Sequence, residues 1–122
     1  MIPPVPDELS APHWEAAARG VLAVPRCADC EWLVLPPEPV CPQCGSVAPA
    51  YRYEGLSGRG TIRSWTVVRK SFLGEPTPFT VVDVELAEQP DLRMIGRLVH
   101  GEPHPGDTVT AIFPDGIPAW TT

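Results

Sequence analysis

The 122-residue chain has no apolar run approaching the roughly 18 residues that a membrane-spanning helix requires. Its first residues, MIPPVPDELS, offer neither a basic start nor an apolar stretch, so no secretory leader is expected and a cytoplasmic setting follows. Positive charge is scarce: nine Lys and Arg stand against 15 Asp and Glu, for a net charge of −6. Binding to a phosphate backbone depends on concentrated positive charge, so nucleic acid is a poor candidate partner. The glycines of YRYEGLSGRGTIRSWTVVRKSF are not followed by Gly-Lys-Ser/Thr, and the next element is β-branched, which excludes a phosphate-cradling loop before a helix. The three histidines, His13, His100 and His104, have no spacing that pairs them with a cysteine or a serine nucleophile. HGEPH, around His100 and His104, reads as a glycine- and proline-containing surface turn. Nothing assembles a nucleophile, a base and an oxyanion donor, and no catalysis is expected from this chain alone.

What the chain does contain is concentrated. Hydrophobic residues make up 43% and charged residues 20%, the balance of a soluble globular protein with room for one modest core. Seventeen prolines favour loops, edges and extended segments over long helices. All four cysteines fall in VPRCADCEWLVLPPEPVCPQCGS as C-x2-C-x10-C-x2-C: Cys27, Cys30, Cys41 and Cys44. A C-x2-C loop aims two thiolates at one point, and two such loops complete the tetrahedron that Zn²⁺ accepts. Disulfides are disfavoured where thiols stay reduced, and a redox C-x-x-C requires a βαβ setting that is absent. Four thiolates close the metal's shell, so the zinc is expected to be structural. The intervening EWLVLPPEPV has the composition of a strand followed by a proline turn.

Along the chain, residues 1–9 read as extended. Ser10 is placed to cap a short helix, APHWEAAAR, that Gly20 ends. Trp14 on that helix either packs on the chain's own core or docks on another subunit. After the ribbon, strands are expected around Tyr51 to Tyr53, in TIRSWTVV, and in FTVVDVEL (Phe79 to Leu86), LRMIGRLV (Leu92 to Val99) and TVTAIF (Thr108 to Phe113). Gly55, Gly58 and Gly60 mark a bulge or a sharp bend. Asp83 and Glu85, two apart on one strand, share the solvent face. Five short antiparallel strands with no helix between them predict a small barrel of the OB type. The expected fold is mainly β: a short N-terminal helix and a rubredoxin-like zinc ribbon over residues 1–50, then a five-stranded OB-fold barrel over 51–122.

The order HWEAAARG, CADC, LPPEPVCPQCG, GRGTIRSWTVV, FTVVDVEL, MIGRLV resembles the zinc-ribbon OB-fold family known as domain of unknown function thirty-five, from about Pro12 to Phe113. The resemblance implies an accessory subunit beside a thiolase-fold acyl-CoA enzyme, either an acetyltransferase or a lipid-transfer-protein-like aldolase of steroid side-chain degradation. In some such proteins the domain is fused to a hot-dog-fold hydratase. Two positions depart from the family's habit. Glu31 follows Cys30 where glycine often follows the second cysteine of a knuckle, as Gly45 follows Cys44. Glu38 stands after the paired prolines, where a basic residue is frequent.

From residue 51 onward seven Lys and Arg meet nine Asp and Glu, so the barrel too is mildly acidic. Its one basic concentration is Arg59, Arg63, Arg69 and Lys70, with Trp65 nearby. A solvated face is the default for such a run. A contact to coenzyme A phosphates at a subunit boundary ranks next, ahead of single-stranded nucleic acid. The expected assembly is a hetero-oligomer in which Zn²⁺ is structural, a CoA thioester is bound jointly with the partner, and Trp14, Trp120 and the extended N-terminus are candidates for docking.

Overall fold

A computed structural model describes residues 4–122. Helix α1 spans Ala11–Ala18, with proline in its first turn. Its end is a Schellman motif: the N–H of Val21 donates to the Ala16 carbonyl and that of Gly20 to Ala17, with Gly20 at φ 77°. Its start is built differently from the expected serine cap. The Ser10 Oγ accepts from the Asp7 N–H at 3.1 Å, and the Asp7 carboxylate accepts from the Ser10 N–H at 2.7 Å. The reciprocal pair satisfies donors one turn before the helix.

Seven strands follow: β1 Leu22–Arg26, β2 Arg52–Leu56, β3 Arg59–Val68, β4 Phe79–Leu86, β5 Arg93–His100, β6 Thr108–Ile112 and β7 Ala119–Thr121. β1 and β2 pair antiparallel as a separate two-stranded sheet, while the other five close into a barrel in the order β3-β4-β5-β7-β6. Three expectations are corrected here. The strand at Tyr51 to Tyr53 lies in the ribbon's sheet, because Arg26↔Arg52 and Leu22↔Leu56 are in register. The barrel's fifth strand is instead β7, too short for its alternation to stand out in sequence, which pairs parallel to β5 and antiparallel to β6. Nor is EWLVLPPEPV a strand. It makes one bridge, Arg26↔Leu33, before its prolines remove the donors a ladder would need.

β4 shows why the barrel forms from this sequence. Val82, Val84 and Leu86 are buried and alternate with Asp83 and Glu85. The inward residues meet Ile62, Leu98, Val109 and Trp120 in one core. Trp120 is wholly buried there, so it is not available for docking. Gly96 makes space for it: a Cβ at that position would lie 3.0 Å from the indole Nε1. Gly60 is required for a similar reason, since its Cβ would stand 2.4 Å from a Val84 methyl and 2.7 Å from the Glu85 carbonyl. Gly58, at φ 78°, makes the turn from β2 to β3, whereas the bulge in β3 falls between Ile62 and Ser64.

The ribbon and barrel are not independently packed. Leu22, Val24 and Leu33 of the ribbon belong to the same buried cluster as the barrel core. Buried Gln89, in the β4–β5 turn, joins the two. Its Oε1 accepts from the Leu33 N–H at 2.9 Å and its Nε2 donates to the Leu33 carbonyl at 2.8 Å. The segment around Leu33 bridges to β1 on one side, and the amide stands in for a neighbouring strand on the other. Gln89→Ala would leave both Leu33 backbone groups buried without partners, at a cost of about 2–3 kcal/mol. The expected observation is a lower urea midpoint with an unchanged denaturant slope; an unshifted midpoint would show that water replaces the amide at no cost.

Candidate metal centre and neighbouring surfaces

Two tight turns build the thiol cluster. In the first, the Cys27 N–H donates to the Trp32 carbonyl and the Glu31 N–H to the Cys27 carbonyl, at 2.9 and 2.8 Å. In the second, the Cys41 N–H donates to Ser46 and the Gly45 N–H to Cys41, at 3.0 and 2.9 Å. Glu31 and Gly45 occupy equivalent left-handed positions, at φ 65° and 76°. Only glycine adopts that conformation without a Cβ penalty, which is the physical content of the departure at Glu31. The Glu31 carbonyl accepts from Arg26 Nη1 at 2.6 Å and its carboxylate pairs with Arg52 at 2.8 Å, so flanking arginines hold the less favourable turn. Tyr51 closes the cluster, its hydroxyl donating to the Glu38 carbonyl at 2.7 Å.

The four sulfurs lie within 4.8 Å of one another. Cys27 Sγ is 3.8 Å from Cys44 Sγ, and Cys30 Sγ is 3.7 Å from Cys41 Sγ. A tetrahedron with zinc–sulfur bonds of about 2.3 Å has sulfur–sulfur edges of about 3.8 Å, so donor set and spacing fit Zn²⁺. The thiol chemistry agrees. Cys41 is drawn down to about 7, first by the Cys44 backbone N–H and then, against burial, by that of Gln43. At Cys30 the Trp32 backbone N–H acts in the same direction but is outweighed by burial and by the other three thiols, which push it up to about 12. Four thiols this close cannot all ionise without a cation between them.

The remaining candidates are dispersed. His13 is buried, with Nδ1 2.8 Å from the Ala23 carbonyl, and serves to dock α1 on β1. His104 pairs with Asp107 at 3.1 Å across the exposed turn. Among the described residues the four cysteines are the one group of His, Cys, Asp or Glu arranged to hold a metal. Asp83 and Glu85 point outward as expected, Asp83 pairing with Arg93 at 2.7 Å and Glu85 with Arg63. The Arg63 guanidinium, with the Asp91 N–H, lowers the Glu85 carboxyl. Trp14 is half-buried in a groove of about 530 Å³ bounded by α1, Leu35 to Pro37 and the Met94–Ile95 stretch of β5. Sequence reading missed Gln89, whose pairing spans 56 positions, and the exposed Phe72 and Leu73, which the short SFLGEP segment hides between turn residues. No helix is long and apolar enough among the described residues to cross a membrane.

Comparison with known proteins agrees with this architecture. Residues 14–48 match the profile "ChsH2, rubredoxin-like zinc ribbon domain" and residues 53–113 match "ChsH2, C-terminal OB-fold domain". A curated protein of Thermomonospora curvata, "Probable enoyl-CoA hydratase alpha subunit", is 33% identical over 89 residues, which are 70% of this chain and 26% of that protein. The chain therefore spans about a quarter of that relative's length. A solved structure described as "Ltp2-ChsH2(DUF35) aldolase" superposes with a TM-score of 0.80 at 28% identity, covering 98% of both chains. A crystal structure of a DUF35-family protein of unknown function from Sulfolobus solfataricus superposes at 0.69, covering 94% of this chain and 85% of that one; at 10% identity it speaks to the fold alone.

Cys30 is a thiol at neutral pH and must become a thiolate to ligate zinc. Adding Zn²⁺ to metal-free protein in weak buffer is therefore expected to release protons, and apparent affinity to fall as the pH is lowered. Cys41→Ser should abolish tight binding. Affinity that is independent of pH, with no proton release, would contradict this chemistry. With ribbon, barrel and thiol spacing all accounted for, the chain belongs to the ChsH2 family of zinc-ribbon and OB-fold proteins.

Proposed function

We propose that this chain is a non-catalytic accessory subunit that binds and stabilises a thiolase-fold, lipid-transfer-protein-like enzyme acting on acyl-CoA thioesters. The observation that carries the reading is the end-to-end correspondence, 98% of each chain at 28% identity, with a chain of an Ltp2-ChsH2 aldolase. In this reading the partner supplies the catalytic groups for a retro-aldol cleavage. The β-hydroxyl of a steroid or lipid β-hydroxyacyl-CoA loses its proton, the Cα–Cβ bond breaks to leave a carbonyl compound, and the α-carbon of the shortened acyl-CoA takes up a proton. Zn²⁺ held by Cys27, Cys30, Cys41 and Cys44 is structural, since four thiolates leave no open position for substrate. The CoA thioester is bound jointly, with this subunit shaping the entrance to the partner's site.

An acetyltransferase partner is the nearest alternative. A hydratase is a second reading, favoured by the name of the Thermomonospora curvata relative. The test is a pull-down of the tagged chain from its native host at moderate salt, run with and without nuclease treatment, followed by mass spectrometry and assay of the recovered complex. A thiolase-fold protein near one-to-one, cleaving β-hydroxyacyl-CoA only when both subunits are present, is the expected result. Hydration of enoyl-CoA without cleavage would select the hydratase reading. Recovery of nuclease-sensitive material and no enzyme would replace both with single-stranded nucleic-acid binding.

A further inference from the structure

The barrel is closed for only part of its height. β3 is ten residues long, but β6 pairs with it at Arg59, Gly60 and Thr61 alone, and the last backbone bonds on that side link Ile62 to Gly106 and Asp107. Beyond the bulge, Ser64 to Val68 pair with β4 on one side and, among the described residues, with no strand on the other. The second half of β3 is thus an open sheet edge, and it carries Ser-Trp-Thr-Val-Val, a sequence with high strand propensity and no proline or lysine to blunt it. Trp65 and Val67 are each 38% exposed. Past its end, Phe72 and Leu73 project 90% and 74% exposed from the β3–β4 loop.

Charge limits what can lie along this edge. From Arg59 to Leu73 there are four cations and no carboxylate, on a molecule of net charge −6. Arg63 is engaged by Glu85, while no carboxylate among the described residues pairs with Arg69 or Lys70. A second copy fits badly: residues 59–73 contain no carboxylate, so antiparallel pairing of this edge with itself, centred on Thr66, sets Arg63, already engaged by Glu85, opposite Arg69 and offers Arg69 and Lys70 no acid from the opposing strand. Like charges directly opposed across strands are destabilising.

From this geometry we infer that the open edge from Ser64 to Val68, with Phe72 and Leu73 at its tip, is a docking arm that accepts an extended segment of a protein partner, added as a strand and flanked by carboxylates that face Arg69 and Lys70. Strand addition satisfies the free backbone groups, and the apolar tip seats in a pocket of the same partner. The inference rests on the accessory-subunit reading, because that reading supplies the partner.

The test uses the enzyme subunit retained by the wild-type chain in the nuclease-treated pull-down, purified and returned to zinc-loaded full-length chain. Amide hydrogen exchange across residues 64–68 is expected to slow in the complex. Two double variants, Phe72→Ser with Leu73→Ser and Arg69→Glu with Lys70→Glu, alter only exposed side chains, and each should weaken subunit binding at least tenfold in calorimetry. If the wild-type chain retains no enzyme subunit, the accessory-subunit reading fails and the arm's assigned partner fails with it. If the subunit is retained, unprotected edge amides together with undiminished binding by both variants overturn the docking arm and leave the wider reading intact. Charge reversal that weakens only CoA thioester binding, or only binding of oligo-uridine RNA, would likewise overturn it and assign the two cations to phosphate.

Discussion

Convergence of four thiols on one point is the constraint on which the ribbon depends. Around them the local apolar core is small: Cys27, Val34 and Cys41 are buried, with Cys30 and Tyr51 packed beside them. A cluster of that size cannot offset the backbone entropy of two knuckles and a proline-rich strap. Metal binding in isolated fingers contributes about 10–16 kcal/mol at neutral pH, enough to change the outcome. The same convergence fixes where the strap from Trp32 to Pro39 runs, and therefore where Leu33 meets Gln89 and where Leu35 to Pro37 wall the groove beside Trp14.

Loss of a metal from the four thiols would be felt beyond the ribbon. Leu22, Val24 and Leu33 reach into the barrel's core, and the Gln89 amide ties the strap to the β4–β5 turn. A ribbon that loosened by itself would withdraw those side chains and expose one end of the barrel. Coupling through a shared core is thus stronger than a plan of two modules in series implies. Yet the barrel retains its own closed ladder through β3 to β7, so loosening at its end need not open the sheet.

How far the sequence foretold this depended on the range of the interaction. The cysteine spacing, the Gly20 helix stop and the alternation in Phe79 to Leu86 are local patterns, and each appears where expected. The failures are non-local. Tyr53 follows the ribbon in sequence but faces Pro25 across the ribbon's own sheet. Trp120, near the C-terminus and flanked by alanine and threonine, reads as peripheral, yet β7 carries it into the centre of the barrel. Gln89 looks like an ordinary turn residue because its partner lies 56 positions away. At the candidate site, the grouping of the four cysteines was legible from spacing alone, whereas exposure of Phe72 and Leu73 depends on where β3 outruns its neighbour.

That mismatch in strand length also explains an otherwise odd distribution of charge. Closing a barrel removes sheet edges only where every strand is as long as its neighbours, and β3 exceeds the reach of β6 by more than half its length. A chain with an exposed, β-prone edge tends to associate with itself unless something opposes it. On this acidic molecule the opposition is positive: Arg63, Arg69 and Lys70 bracket the edge, Arg63 is engaged by Glu85, and pairing of the edge with itself offers Arg69 and Lys70 no acid from the opposing strand. As a docking arm, the edge would thereby stay open for an unlike chain while disfavouring a like one. Specificity of this kind arises from a repulsive element as much as from an attractive one, and here both would reside in Arg69 and Lys70.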